Sequence, residues 1–298
     1  SREIMDKTSN KIKGIFYIAI ASIAFGVMPI LAKLAYKGGA NAINTLALRF
    51  TFASIILFIY IKTKKLSLRV SKEQIKLILF MGVIGYSMTS ILLFVSYNYI
   101  DVGIAGMILH TYPLMVMILS IIIYKEKFKL KKFLYLMVTT IGVFIMLDVK
   151  VGNINTVGVI LVLLSALCYA IYVLGASNDK VKNIDSYVMT FYISIISAIV
   201  GSTTGIVTNS FNNPINFYGI IAILLIAFIS TVVALMAFLK GVKLIGPTNS
   251  AIFSALEPIV SLVLGVIVLG ESISIKIIIG STIIIFAMIE LAKDTIRN

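Results

Sequence analysis

Three ionisable residues stand inside long apolar runs: Arg49, His110 and Glu257. Such a group at the centre of a bilayer costs from about 3 to more than 10 kcal/mol, depending on the scale, so it is kept there by a task or a partner. Arg49 is always charged and its planar fork suits a carboxylate. It reads as a clamp for an anionic or zwitterionic ligand, or as a structural group that pairs with Glu257 or bonds freed carbonyls. Glu257 directly precedes Pro258. Proline has no N–H to donate, so a kink and a freed carbonyl are expected nearby. The carboxylate can bind a proton in one conformation and release it in another; its alternative is a fixed partner for Arg49 or a backbone cap. His110 is the only histidine. Imidazole titrates in the physiological range, so His110 reads as a substrate or proton contact, or as a hydrogen-bonded packing residue.

Tyrosines come next. Tyr86, Tyr112 and Tyr169 lie deep in their runs. Each offers apolar area and one hydroxyl, which suits a cavity for amino-acid-like or aromatic ligands; the same rings can cage a cation. Glycines spaced three or four apart (Gly82 and Gly85, Gly103 and Gly106, Gly201 and Gly205) read as close helix approaches. Asn98 and Asn249 read as bonds across helices near span ends. Glu126 and Glu271, at loop edges, read as helix caps or partners of a loop lysine. One cysteine, Cys168, excludes an intrachain disulfide and reads as a packing residue. Without a Cys/His cluster no metal or other cofactor is expected. Without a GxxxxGK[ST] loop ATP is not the expected energy source.

The elements that must position these residues follow from composition. The chain has 298 residues, 60% of them hydrophobic and 13% charged, with a mean hydropathy of +1.07. A soluble domain carries roughly a quarter charged residues. This balance excludes a cytosolic enzyme, a secreted domain and a disordered chain, and leaves an all-α polytopic protein of the cell membrane. A span needs about 20 mostly apolar residues. Ten such runs are present: 14–36, 41–61, 74–97, 102–124, 130–147, 156–175, 186–207, 217–239, 246–269 and 273–291. The first has no small-residue cleavage site after it and reads as a helix, not a signal peptide. If the N-terminus is cytoplasmic, 21 Lys and Arg fall on that side and 4 (Lys33, Lys37, Lys150 and Lys276) on the other. This is the positive-inside pattern, with both termini cytoplasmic. The net charge of +14 is therefore a topology signal, with anionic lipid headgroups as counter-charge and no nucleic-acid partner.

The chain also looks duplicated. Pro113 and Glu126 recur as Pro258 and Glu271, each 145 residues later, and Gly14 followed by Phe25-Gly26 recurs as Gly158 followed by Tyr169-Ala170. Residues 1–150 and 151–298 thus read as two five-span halves. Five is odd, so the second half inserts upside down, which is an arrangement of secondary transporters with a site near the midplane. Glu257 then corresponds to Tyr112, and His110 to Ala255. Arg49, His110 and Glu257 are expected to share one central cavity.

Ten spans as five plus five, Phe25-Gly26, Arg49 in the second span, Pro113 with Glu126, and Leu256-Glu257-Pro258 with Leu269-Gly270-Glu271 together resemble the drug/metabolite transporter superfamily, in particular its EamA-type exporters. The resemblance covers essentially the whole chain. It implies a basket of ten helices and alternating-access transport of small metabolites, often amino acids, in the export direction. A proton is the candidate coupling ion. Uptake of a cationic or quaternary-amine metabolite stays open beside it, as does a channel or non-transporting membrane protein. A membrane-embedded prenyl or lipid transferase is disfavoured: the 12 acidic residues form no DxxxD cluster.

Overall fold

The computed structural model describes residues 2–100, 102–148 and 154–298; Lys150 and the expected boundary between the halves lie outside them. The described residues form helices and no strand, and ten helical spans are long and apolar enough to cross a membrane. They are α1 (Arg2–Lys37), α2 (Ala42–Thr63), α3 (Lys72–Ser96), α4 (Ile104–Ile123), α5 (Leu130–Leu147), α6 (Thr156–Ala176), α7 (Ser186–Val207), α8 (Phe217–Ile245), α9 (Pro247–Leu269) and α10 (Ile275–Arg297).

Local chemistry sets their ends. Asn41 and Ser71 each start a helix with a reciprocal capping box, through Asn44 and Gln74. Asn155, Asp185, Asn216 and Ser274 accept from first-turn N–H groups of α6, α7, α8 and α10. Gly246 takes a positive φ of 83° between α8 and α9, and Pro247 opens α9, where a missing N–H costs nothing. Three spans run past what hydropathy alone indicates, among them α10, which reaches Arg297. α1 begins in the polar stretch after Ser1, and α8 continues through Lys240 and Lys243 to Ile245. Hydropathy marks the lipid-crossing part of a helix, whereas backbone bonding carries the helix past the interface.

Two spans in each half carry the architecture of the site. α3 contains a π-helical stretch, Met81–Ser87, and α8 another, Phe228–Val233. α4 and α9 are broken at midspan. The breaks fall at His110-Thr111 and Ser254-Ala255, in the turn before Pro113 and Pro258, where the proline ring would meet the carbonyl four residues earlier.

The principal helix contacts map onto themselves when α1–α5 are exchanged with α6–α10. α2 packs on α7, α5 on α10, α1 on α8 as α6 on α3, and α1 on α9 as α6 on α4. Individual contacts repeat too. Gly14 packs against Leu244 and Ile245, and Gly158 against Tyr99 and Ile100. Lys131 at the start of α5 pairs with Asp294 near the end of α10 (2.8 Å). Lys276 at the start of α10 pairs with Asp148 at the end of α5. These two helices therefore run antiparallel, clamped at both ends, and they cross where Gly142 and Gly280 face each other's backbone.

The core is aromatic and aliphatic, with Tyr172, Phe50, Phe238, Ile18 and Leu57 fully enclosed. The outward surface exposes Phe16, Ile55, Ile122, Ile199 and Phe286, which suits lipid as the solvent. Of the glycine pairs, Gly82 and Gly85 meet Ile196 and Tyr172, and Gly201 meets the α2 backbone at Ala47. Gly106 is different: open space surrounds it. Gly103's surroundings lie outside the described side chains.

Candidate functional site

Arg49 sits in the middle of α2, and its side chain is turned into the bundle with 6% exposure. Its Nε donates to Thr231 Oγ1 (3.0 Å) and its Nη2 to the Tyr86 hydroxyl (3.2 Å). The guanidinium carbon lies 4.5 Å from the centroid of the Phe50 ring. Tyr86 belongs to the π-helical stretch of α3 and Thr231 to that of α8. Arg49 thus bridges the two irregular stretches, and π-helical turns are frequent at functional sites. The Thr231 hydroxyl is used twice, since it also donates to the Ile226 carbonyl (3.1 Å). The ion pair with Glu257 that the sequence allows is not formed: the ion pairs among the described residues join lysines to carboxylates at the helix ends. Arg49 instead takes neutral hydroxyls and a ring face.

His110 occupies the break in α4. Its Nδ1 lies 2.6 Å from the Gly106 carbonyl. A carbonyl only accepts, so Nδ1 is the donor, and in the neutral imidazole Nε2 keeps its lone pair. Tyr112 follows as the first residue of the second piece of α4. Glu257 is the second residue of the second piece of α9, where the helix N-terminus favours negative charge. The Tyr112 ring meets Tyr169 edge-on at 4.7 Å and 89°.

One cavity of about 150 Å³ brings all of these together. Arg49, His110, Glu257, Tyr86, Tyr112 and Tyr169 all line it. The wall is completed by Phe25 and Met28 of α1, by Thr89, Ser90 and Leu93 of α3 and by Leu109 of α4. Phe25 was legible only as part of a motif, and the serine and threonine carry no charge that would single them out. On α1 and α3 the lining runs from midspan toward the end of the bundle that is poor in lysine. Toward the lysine-rich end the cavity is bounded by a cluster of rings packed edge-on and face to face. Tyr172 lies 5.1 Å from Tyr86, 5.9 Å from Tyr169 and 6.5 Å from Phe238. Gly85 permits this closure, because a Cβ there would stand 2.9 Å from the Cβ of Tyr172.

The remaining polar candidates are placed at the helix ends. Glu271 pairs with Lys33 (3.2 Å), the loop-edge role expected of it. The Glu126 and Glu271 amides bond back to Ser120 and Gly265 in the same helix-ending turn. Asn249 at the start of α9 donates to the Ile245 carbonyl at the end of α8 (3.0 Å), because the tight turn at Gly246 brings that carbonyl beside it.

The chain is similar to known proteins over nearly its whole length. The model of the EamA-like transporter family matches residues 12–148 and again residues 156–291. The uncharacterized transporter YcbK of Bacillus subtilis (strain 168) is 24% identical over 290 residues, covering 93% of this chain and 92% of the relative. The uncharacterized transporter YyaM of the same organism is 27% identical over 257 residues, with 82% of each chain covered. A protein crystal structure superimposes with a TM-score of 0.81 at 14% identity, covering 97% of this chain and 99% of the other; that likeness bears on the fold alone. Ten spans, a ligand-sized cavity between broken helices and the family pattern occurring twice in tandem make this multi-pass membrane protein a member of the EamA-like transporter family.

Proposed function

We propose that the protein is a secondary transporter that exports a small zwitterion, an amino acid or a close relative, by alternating access between two inverted halves, residues 1–150 and 151–298, with both termini cytoplasmic. One observation carries the substrate class. Arg49 and Glu257 line the same small cavity without pairing with each other. A permanent cation and a carboxylate kept apart in one low-dielectric site match a ligand that carries both charges. The substrate carboxylate goes to the guanidinium, on the side left open by Thr231 and Tyr86. The substrate ammonium goes to Glu257, with the Tyr112 and Tyr169 rings packing the side chain. A volume of about 150 Å³ is below the 300–1,000 Å³ of drug-sized pockets, which favours a small metabolite.

The exchange of contacts between halves supports the inverted repeat, as does the antiparallel clamp of α5 on α10. Export rests on the family resemblance. Glu257 and the free Nε2 of His110 line the same cavity and are the groups through which a proton would be coupled. A second reading has its own support. The perpendicular Tyr112–Tyr169 pair beside Glu257 also suits an ammonium without a carboxylate, in which case a cationic amine is the substrate and uptake the direction.

The test is counterflow and charge movement in proteoliposomes, with amino acids, quaternary amines and organic acids, with and without a proton gradient. Amino-acid transport that is lost in both Arg49→Lys and Glu257→Gln supports the zwitterion. Amine transport that survives Arg49→Lys and is lost in Glu257→Gln selects the second reading. Transport indifferent to both substitutions removes the cavity from the substrate path.

A further inference from the structure

A second cavity, of about 260 Å³, lies at the lysine-rich end of the bundle, between α1, the start of α5, the α8–α9 turn and the end of α10. Lys11, Lys129, Lys131 and Lys132 converge on it, with Asn249 and Asp294. Asp294 is already matched by Lys131 (2.8 Å) and by the Tyr135 hydroxyl (2.6 Å). Lys11, Lys129 and Lys132 form no ion pair among the described residues. α5 starts here with no side-chain cap, so its first-turn N–H groups add to the positive field. Asn249 is 9% exposed, and its Oδ1 has no partner. The site wants an anion that also brings a donor.

A topology signal accounts for the number of lysines at this end, but not for their convergence on a cavity beside a buried unpaired amide. The opposite end of the bundle shows the contrast. There the clamp of Lys276 on Asp148 reproduces that of Lys131 on Asp294. Ser274, Ile277 and Ile104 stand in the places of Lys129, Lys132 and Asn249. Among the described residues the lysine cavity has no counterpart at that end.

One helical turn deeper, on α1, α9 and α10, lies an apolar groove of about 210 Å³. Ile15 and Ala19 continue the α1 face below Lys11, Phe253 follows Asn249 on α9, and Met288 and Ala292 lie one turn before Leu291 and Thr295 of the cavity on α10. A cationic pocket at headgroup depth above an apolar groove at acyl depth has the two-part chemistry of a phospholipid. We propose that the two form one binding site for an anionic phospholipid, its phosphate among Lys11, Lys129 and Lys132, its headgroup hydroxyl toward Asn249 and one acyl chain along the groove. The proposal is independent of the transported substrate.

Native mass spectrometry of the purified full chain tests it, with phosphatidylglycerol, phosphatidylcholine and soluble glycerol phosphate as probes. Phosphatidylglycerol should bind in preference to phosphatidylcholine. Each lysine removed should weaken it roughly fivefold, the effect of about 1 kcal/mol per basic residue at a lipid surface. Lys129→Gln and Lys132→Gln are therefore additive, and exposed Lys129 keeps the test standing if the Lys132 variant does not fold. Ala292→Phe fills the groove and should weaken phosphatidylglycerol about tenfold. Equal retention of the two lipids, or wild-type phosphatidylglycerol binding in Lys129→Gln and Ala292→Phe, overturns the proposal. So does glycerol phosphate displacing the lipid at equal concentration, which makes a soluble phosphate the occupant.

Discussion

Thr231→Val and Tyr86→Phe each delete one hydroxyl from Arg49 and keep the side-chain shape, but the structure makes their costs unequal. Side-chain hydrogen bonds inside membrane proteins average about 0.6 kcal/mol and reach about 1.7; bonds to charged groups in general are worth about 1.5–3 kcal/mol. Access to water decides which scale applies. Tyr86 and Arg49 both line the cavity, so water can replace the lost phenol, and Tyr86→Phe should cost about 1 kcal/mol or less. Thr231 is fully enclosed. Its hydroxyl serves both Arg49 Nε and the Ile226 carbonyl, so Thr231→Val strands a donor and an acceptor together and should cost about 2–3 kcal/mol. At roughly 2–4 °C per kcal/mol, thermal melts in detergent followed by circular dichroism should fall by about 4–12 °C for Thr231→Val and by no more than about 4 °C for Tyr86→Phe. Thr231→Ser keeps the hydroxyl and should stay near wild type. If Tyr86→Phe costs as much as Thr231→Val, or neither moves the melt by more than about 1 °C, Arg49 is not held by the bridge between the two π-helical stretches.

Gly85→Ala should lose about 1–3 kcal/mol, because its Cβ would meet Tyr172 at 2.9 Å. Gly106→Ala, with open space around it in a helix, should be neutral or gain about 0.5–1 kcal/mol; both are read from the same melts, and a reversed order refutes the packing assignment. In a Cys168→Ser background, a short bismaleimide should link Lys131→Cys with Asp294→Cys and, separately, Asp148→Cys with Lys276→Cys. Linking Lys131→Cys to Lys276→Cys instead would show that α5 and α10 are not antiparallel.

The number of spans and the ionisable part of the cavity lining were legible because both follow from lipid as a solvent. A run of about 20 apolar residues must cross, and an ionisable group such as Arg49 or Glu257 in mid-run must turn inward. The helix breaks were half legible. Pro113 and Pro258 announce a disturbance, but that it parts the helix at His110-Thr111 and Ser254-Ala255 depends on local bonding no motif displays, such as the Gly106 carbonyl taking both the His110 N–H and its Nδ1. The partner of Arg49 was not legible. Thr231 is 182 residues away and uncharged, one hydroxyl among many in apolar runs, so only the fold selects it. The π-helical stretches left no signal either, because Met81–Ser87 and Phe228–Val233 have the composition of any buried helix. The clamp of Lys131 and Lys276 on opposite ends of one helix pair is visible in sequence only once Asp148 and Asp294 are known to lie beside them.

The repeat gives Tyr172 a role that the present arrangement hides. At the offset that matches Phe25 to Tyr169, Met28 matches Tyr172. Met28 lines the cavity, whereas Tyr172 is fully enclosed and its hydroxyl has no partner. If the halves exchange conformations as proposed, Tyr172 moves to the kind of position Met28 now holds, and its hydroxyl reaches cavity water. The unpaired hydroxyl then costs about 1–3 kcal/mol in this state and nothing in the other, which holds the two closer in energy than packing alone would. Tyr172→Phe removes that cost from one side only. The variant should melt higher by about 2–12 °C, and the opposite state should become about 5- to 150-fold rarer, with transport slowed accordingly. Ala176→Cys, one turn further along α6 toward the lysine-rich end and buried in this state, reports that opening through its rate of maleimide labelling in the Cys168→Ser background. Labelling at least fivefold slower with Tyr172→Phe is the expected result. An unchanged melt together with an unchanged labelling rate would mean that the hydroxyl finds a partner in both states, and that Tyr172 is only a packed ring in the floor of the cavity.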